Sequence, residues 1–194
     1  MRKQQFVSTT PSALRARRRL PGLVGVLLAA ALLAGAAQAA AADPLPVQVV
    51  LVRHAEKAEG GGRDPALSAA GTARAAALAQ ALHGAGIVAI VTSEFARTRD
   101  TAAPLAAALG IAPQVVAAGD GIDAHVAAVA AAVRAASGPV LVVGHSNTVP
   151  ALVAALGGRA VDALAEHQYD RMFLLTPSPA APTLVEARYG APTP

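Results

Sequence analysis

Two short apolar runs, Val49-Val50-Leu51-Val52 and Val140-Leu141-Val142-Val143, stop abruptly, the first at Arg53-His54 and the second at Gly144-His145. Apolar runs of this length, without polar alternation and bounded by polar loops, read as strands buried on both faces. Strands of that kind need helices on both sides of their sheet, which confines the chain to an α/β fold. A histidine at the exit of such a strand lies at the carboxyl edge of the sheet, where open α/β folds place their ligands. With Arg53 just before one of the two histidines, the pair of exits defines a small cationic pocket that suits a phosphate group.

The rest of the pattern agrees. Strands are predicted at 47–52, 87–91, 113–116 and 140–143, with a closing pair at 171–176 and 183–188. Between them, helices are predicted at 68–82, 96–109, 123–136 and 147–156, the first capped by Ser68 and the next two stopped by Gly110 and Gly138. Leu67, Gly71, Ala75, Leu78 and Leu82 share one face of the first helix. Alternating strands and helices give a three-layer α/β/α sandwich with a mostly parallel central sheet, built as a single domain over residues 40–194. The run 87–91 leads into Thr92-Ser93-Glu94-Phe95-Ala96-Arg97, so Arg97 falls near a third strand exit. Arg53, His54, Arg97 and His145 then converge on one anion. Gly60-Gly61-Gly62 gives the loop over 56–64 freedom to move over that pocket; no Gly-Lys-Ser follows, so it is not a nucleotide-binding loop.

Four segments in order, over roughly residues 47–156, resemble the histidine phosphatase superfamily, the phosphoglycerate mutase-like proteins. They are Arg53-His54-Ala55, then Leu67-Ser68-Ala69-Ala70-Gly71, then Ser93 with Arg97, Thr101 and Ala102, and last Gly144-His145. The resemblance implies a phosphoglycerate mutase-like fold and a phosphatase whose small phosphorylated substrate passes through a phosphohistidine on His54. It implies that Arg53, Arg97 and His145 hold the phosphoryl oxygens. The chemistry fits those residue types. A neutral imidazole nitrogen attacks phosphorus, guanidinium forks match phosphate geometry, and fixed cations stabilise the charge of the transition state. Arg99 competes with Arg97, and the spacing from Ser93 to Thr101-Ala102 selects Arg97. Asn147 is either the cap of the last helix or a substrate contact.

The proton donor to the leaving group is left open. Mutase-like members use a Glu between the pocket Arg and the second His, and no Glu lies between Arg97 and His145. Acid phosphatase members carry His-Asp there; this chain has His145-Ser146. The candidates are Asp120 and Asp123 in a turn, and Glu56 two residues after His54. A non-catalytic phosphate or phosphosugar binder of the same fold is the alternative reading. Gly144-His145-Ser146-Asn147-Thr148 begins like a serine hydrolase elbow but lacks its last glycine. In the late polar segment Glu166-His167-Gln168-Tyr169-Asp170-Arg171, Tyr169 or Asp170 is a candidate for the pocket rim, against a solvated turn.

Residues 1–39 have the layout of a secretory signal peptide: an Arg-rich start, an apolar stretch over 20–37, and Ala37-Gln38-Ala39 as a small-x-small cleavage site, with Ala40-Ala41-Ala42 a second one. The formal charge of +4 belongs to that leader. It holds six of the 16 Lys and Arg, leaving 10 against all 12 Asp and Glu in the mature chain, near −2. No basic surface with interleaved aromatics remains for nucleic acid. Removal of the leader leaves no stable membrane insertion, and the expected location is periplasmic or secreted. Without cysteines the chain has neither disulfides nor thiol catalysis. No His-Glu-x-x-His or clustered acidic motif points to a metal or other cofactor.

Overall fold

Strand β1 (Val49–Arg53) is buried at every position and lies inside the sheet, which is why its sequence shows no alternation. In the computed structural model, the described residues are 48–60, 62–178 and 180–194, and all lie in the compact unit Asp43–Pro194. The expected leader and residue 47 of the first predicted strand lie outside the described residues. Six strands form one sheet in the order β3-β2-β4-β1-β5-β6. These are β2 (Ala89–Thr92), β3 (Gln114–Val115), β4 (Val140–Gly144), β5 (Arg171–Thr176) and β6 (Thr183–Arg188). The β1–β4, β2–β4 and β2–β3 pairs are parallel; β5 runs antiparallel to β1 and β6.

Side-chain alternation splits the core in two. Val49, Leu51, Val140 and Val142 pack on helices α3 (Ile122–Arg134) and α4 (Thr148–Ala155). Val50, Val52, Leu141 and Val143 pack on α1 (Ala69–Leu82) and α2 (Ala96–Leu109). The result is the expected mostly parallel sheet between two helical layers. Ser68 caps α1, accepting a hydrogen bond from the Gly71 amide at 3.1 Å. Gly71 is required there: a Cβ would lie 2.1 Å from the Glu56 carbonyl oxygen. The glycine of the Leu-Ser-x-x-Gly segment thus lets α1 lie directly on the backbone that follows His54.

Element bounds differ from the sequence reading by at most two residues, within the range over which helix ends fray and edge strands shorten, and α2, β5 and β6 coincide with it. The helix expected over 123–136 ends at Arg134, and the strand expected over 113–116 keeps only Gln114 and Val115. Register places the site. Arg53 pairs with Gly144, and Thr92 with Val143, so His54, Ser93 and His145 leave three adjacent parallel strands at one edge. The His54 amide extends the ladder by donating to the Gly144 carbonyl at 2.9 Å.

Candidate active site

His54 is buried just beyond β1. Its Nδ1 lies 2.8 Å from the Ala55 carbonyl oxygen, which only accepts, so the ring proton sits on Nδ1 and the Nε2 lone pair is free. Thr101 fixes the same segment: its hydroxyl accepts from the Ala55 amide at 2.9 Å and donates to the Arg97 carbonyl at 2.7 Å. Burial pushes the His54 pKa down to about 3, against the opposing pull of the Ala55 carbonyl, and the charges of His145, Arg53 and Arg97 add to the lowering.

His145 stands edge-on to His54, with ring centroids 5.4 Å apart. Its Nε2 is 3.0 Å from Ser93 Oγ, which is 2.9 Å from Thr98 Oγ1. Thr98 Oγ1 also faces the Phe95 carbonyl at 2.9 Å. With Thr98 donating to Ser93 and Ser93 donating to His145 Nε2, the His145 proton sits on Nδ1, where the ring keeps a donor. Ser93 matched a motif in the sequence, but its service to His145 needed the fold to be seen. Burial, with Arg97 and His125 adding, lowers the His145 pKa to about 4.

The two arginines differ. Arg53, 2 % exposed, donates from Nη1 to the Ala165 and Glu166 carbonyls at 2.8 Å each, and its guanidinium lies 4.3 Å from the Tyr169 ring centroid. Nη2 meets the Glu166 carboxylate at 3.2 Å. Half of this fork therefore anchors the 165–168 turn. Arg97 lies 4.2 Å over the Phe95 ring and 3.5 Å from Asp64. Asp64 also accepts from the Ala96 amide at 2.9 and 3.0 Å, capping α2 from the loop over 56–64 because Phe95, at the cap position, has no side chain for it.

Arg53, His54, Arg97, His145 and Asn147 line one pocket of about 470 Å³, with Lys57, Phe95, Ala118, Ile122, His125, Ser146, Thr148 and Glu166. Arg99 is exposed on α2 and outside it. Asn147 holds the cap position of α4 without making a side-chain cap bond. The three carboxylates considered as proton donors do not line the pocket. Asp120 and Asp123 are exposed beside it. Glu56 is turned into a bidentate pair with Arg74, at 2.7 to 3.0 Å. Asp170 is not at the rim either: it is buried and pairs with Arg188 and Thr193. His125, Glu166 and Asp64 carried no role in the sequence reading; His125 had a visible sign, falling in phase with the apolar Val126, Val129 and Val133.

The lowered histidines give a pH dependence of stability. Their folded values, about 3 and about 4, lie below the ordinary 6.5, so in acid the unfolded chain takes up protons that the folded chain refuses. Stability present above about 6.5 is lost as pH falls toward about 4 for His145 and about 3 for His54. Urea midpoints are expected to fall over that window, and less steeply in His54→Asn. Equal slopes for the two proteins would contradict this account of His54.

A six-stranded, mostly parallel sheet whose edge presents two histidines and two arginines defines a phosphoglycerate mutase-like α/β protein with a pocket lined by cationic side chains. The family model of the histidine phosphatase superfamily (branch 1) matches residues 49–124, which span the first three of the four ordered segments. Over those residues the chain is similar to the histidine phosphatase superfamily. Among solved structures it is similar to a mycobacterial glucosyl-3-phosphoglycerate phosphatase in complex with VO3 (19% identity, 75% of this chain and 100% of that chain covered, TM-score 0.55). It is also similar to the protein histidine phosphatase SixA complexed with tungstate (20% identity, 73% and 97% covered, TM-score 0.59). A putative phosphohistidine phosphatase SixA from Agrobacterium tumefaciens gives 23% identity, 76% and 99% coverage, and a TM-score of 0.54. At these identities the likeness establishes the fold. No curated protein matches the chain.

Proposed function

We propose that this chain is an exported phosphatase that hydrolyses a small phosphorylated compound through a phosphohistidine on His54. The observation that carries the reading is the state of His54: proton on Nδ1, lone pair on Nε2, and a ring kept neutral by burial beside two arginines. Nε2 attacks phosphorus, and one displacement becomes two. Arg97, the Nη2 side of Arg53, and His145 take the phosphoryl oxygens and stabilise the transition-state charge, with Asn147 at the mouth as a substrate contact. The incoming phosphate displaces the Glu166 carboxylate from Arg53. The family-model match over residues 49–124 supports a phosphoric ester hydrolase, and solved neighbours hold VO3, tungstate or inorganic phosphate. Export rests on the Arg-rich start, the apolar stretch and the small-residue cleavage site of residues 1–39.

One experiment tests both halves. Protein recovered after export is sequenced from its amino terminus, then given phosphate esters, anhydrides and phosphohistidine. The expected start is Ala40 or Asp43, with turnover and a trapped phosphoprotein that is labile to acid and stable to base. Retention in the membrane with Met1 or Arg2 at the start contradicts export. Vanadate binding without turnover of any substrate supports the phosphate-binding alternative.

A further inference from the structure

We infer that His125 supplies the proton to the leaving group, an inference that rests on the phosphatase reading above. The pocket has one wall from the turn after β3 and from α3, bearing Ala118, Ile122 and His125. Two of these are apolar, so His125 is the one group on that wall able to hand over a proton. The fixed cations, Arg53, Lys57 and Arg97, come from other segments, and they suit the phosphoryl oxygens. A wall without fixed charge suits the leaving group.

His125 is placed for the task. It is only 3 % exposed, in the first turn of α3, yet it lines the cavity shared by His54 and His145. Its Nδ1 lies 3.1 Å from the Ala117 carbonyl oxygen, an acceptor, so Nδ1 carries a proton and the ring is held in one orientation. Its Nε2 makes no hydrogen bond among the described residues. The other groups are committed: His54 attacks, and His145 is held by Ser93. Glu166 is the remaining carboxylate in the lining, but it is 72 % exposed, and once phosphate displaces it from Arg53 it still faces Lys57, at 3.5 Å. The charged or titratable groups that face the cavity with His125 are Arg53, Lys57, Arg97, His54, His145 and Glu166.

The steps balance. His54 Nε2 forms the N–P bond while the bond from phosphorus to the leaving oxygen breaks. That oxygen keeps the electron pair and takes the Nε2 proton of His125. In the second step neutral His125 accepts a proton from the water that attacks phosphohistidine, which releases inorganic phosphate and restores both histidines.

The test uses two leaving groups. In 4-nitrophenyl phosphate the nitrophenolate bears its own charge well; in phenyl phosphate the phenolate needs the proton. His125→Asn keeps an N–H near the Ala117 carbonyl, and His125→Gln keeps one near Nε2; neither transfers a proton. For both variants kcat/KM is expected to fall by about a hundredfold on phenyl phosphate, and by far less on 4-nitrophenyl phosphate, with vanadate still inhibiting. Equal loss on the two substrates, loss of vanadate inhibition, or no loss at all would overturn the assignment. A loss confined to phenyl phosphate in Glu166→Gln instead would assign the proton to Glu166. Wild-type protein that turns over neither of these substrates nor any other ester, anhydride or phosphohistidine fails the phosphatase reading itself, a result distinct from any of these.

Discussion

Replacing His54 with alanine is expected to abolish turnover, by about a thousandfold or more, and to remove every trace of trapped phosphate. The loss is large because the nucleophile has no substitute in the pocket. His145 is the nearest imidazole, but its Nε2 is occupied by Ser93, and its ring centre is 5.4 Å away. Ser146 lines the pocket without a free base beside it, since His145 is turned to Ser93. Removing the buried imidazole also takes away a group that resists protonation, so His54→Ala should be less acid-sensitive than the wild type over the window below about 6.5. Vanadate should still bind through Arg97, because the arginine is held independently by Phe95 and Asp64. An active His54→Ala protein, or phosphate mapped to Ser146, would refute the nucleophile assignment.

Much of this arrangement was legible in the residues. The buried strands announced themselves as unbroken apolar runs, and the exits at His54 and His145 lie side by side because β1 and β4 are parallel neighbours in register. Arg97 rather than Arg99 lines the pocket, as the spacing from Ser93 indicated. What could not be read was partner choice. Arg74 and Glu56 are 18 residues apart with nothing between them to show that they meet. His125 belongs to a helix whose face is otherwise apolar, and a polar residue there gains meaning only when the sheet edge brings His145 across from it. The place of the proton-donor candidates outside the pocket lining was hidden for a similar reason. A sequence shows that Asp120 and Asp123 lie in a turn and at a helix start, but not that both are exposed outside the pocket lining.

Arg74→Leu is expected to destabilise the fold by about 3 kcal/mol, the lower end of the cost of breaking a buried ion pair. Arg74 is 3 % exposed and Glu56 20 %, so deleting the guanidinium strands a carboxylate that retains slight access to water. Burial alone would weaken the Arg74 cation, but the hydrogen bonds and charge of Glu56 outweigh it and raise its pKa above the ordinary value. Arg74 also donates to the Tyr189 carbonyl at 2.9 Å, which joins α1 to the segment after β6. Glu56 in turn belongs to the backbone that carries the Ala55 carbonyl, the group that holds Nδ1 of His54. Urea unfolding of Arg74→Leu, Glu56→Gln and the double variant measures the pair. The double variant should recover part of the loss, because it no longer strands a charge. The same set decides what Glu56 does. If it only holds Arg74, Glu56→Gln loses stability and leaves the ratio of phenyl to 4-nitrophenyl phosphate turnover as in the wild type. If that ratio falls in Glu56→Gln and not in His125→Asn, Glu56 is the proton donor after all, and the ion pair must open during turnover.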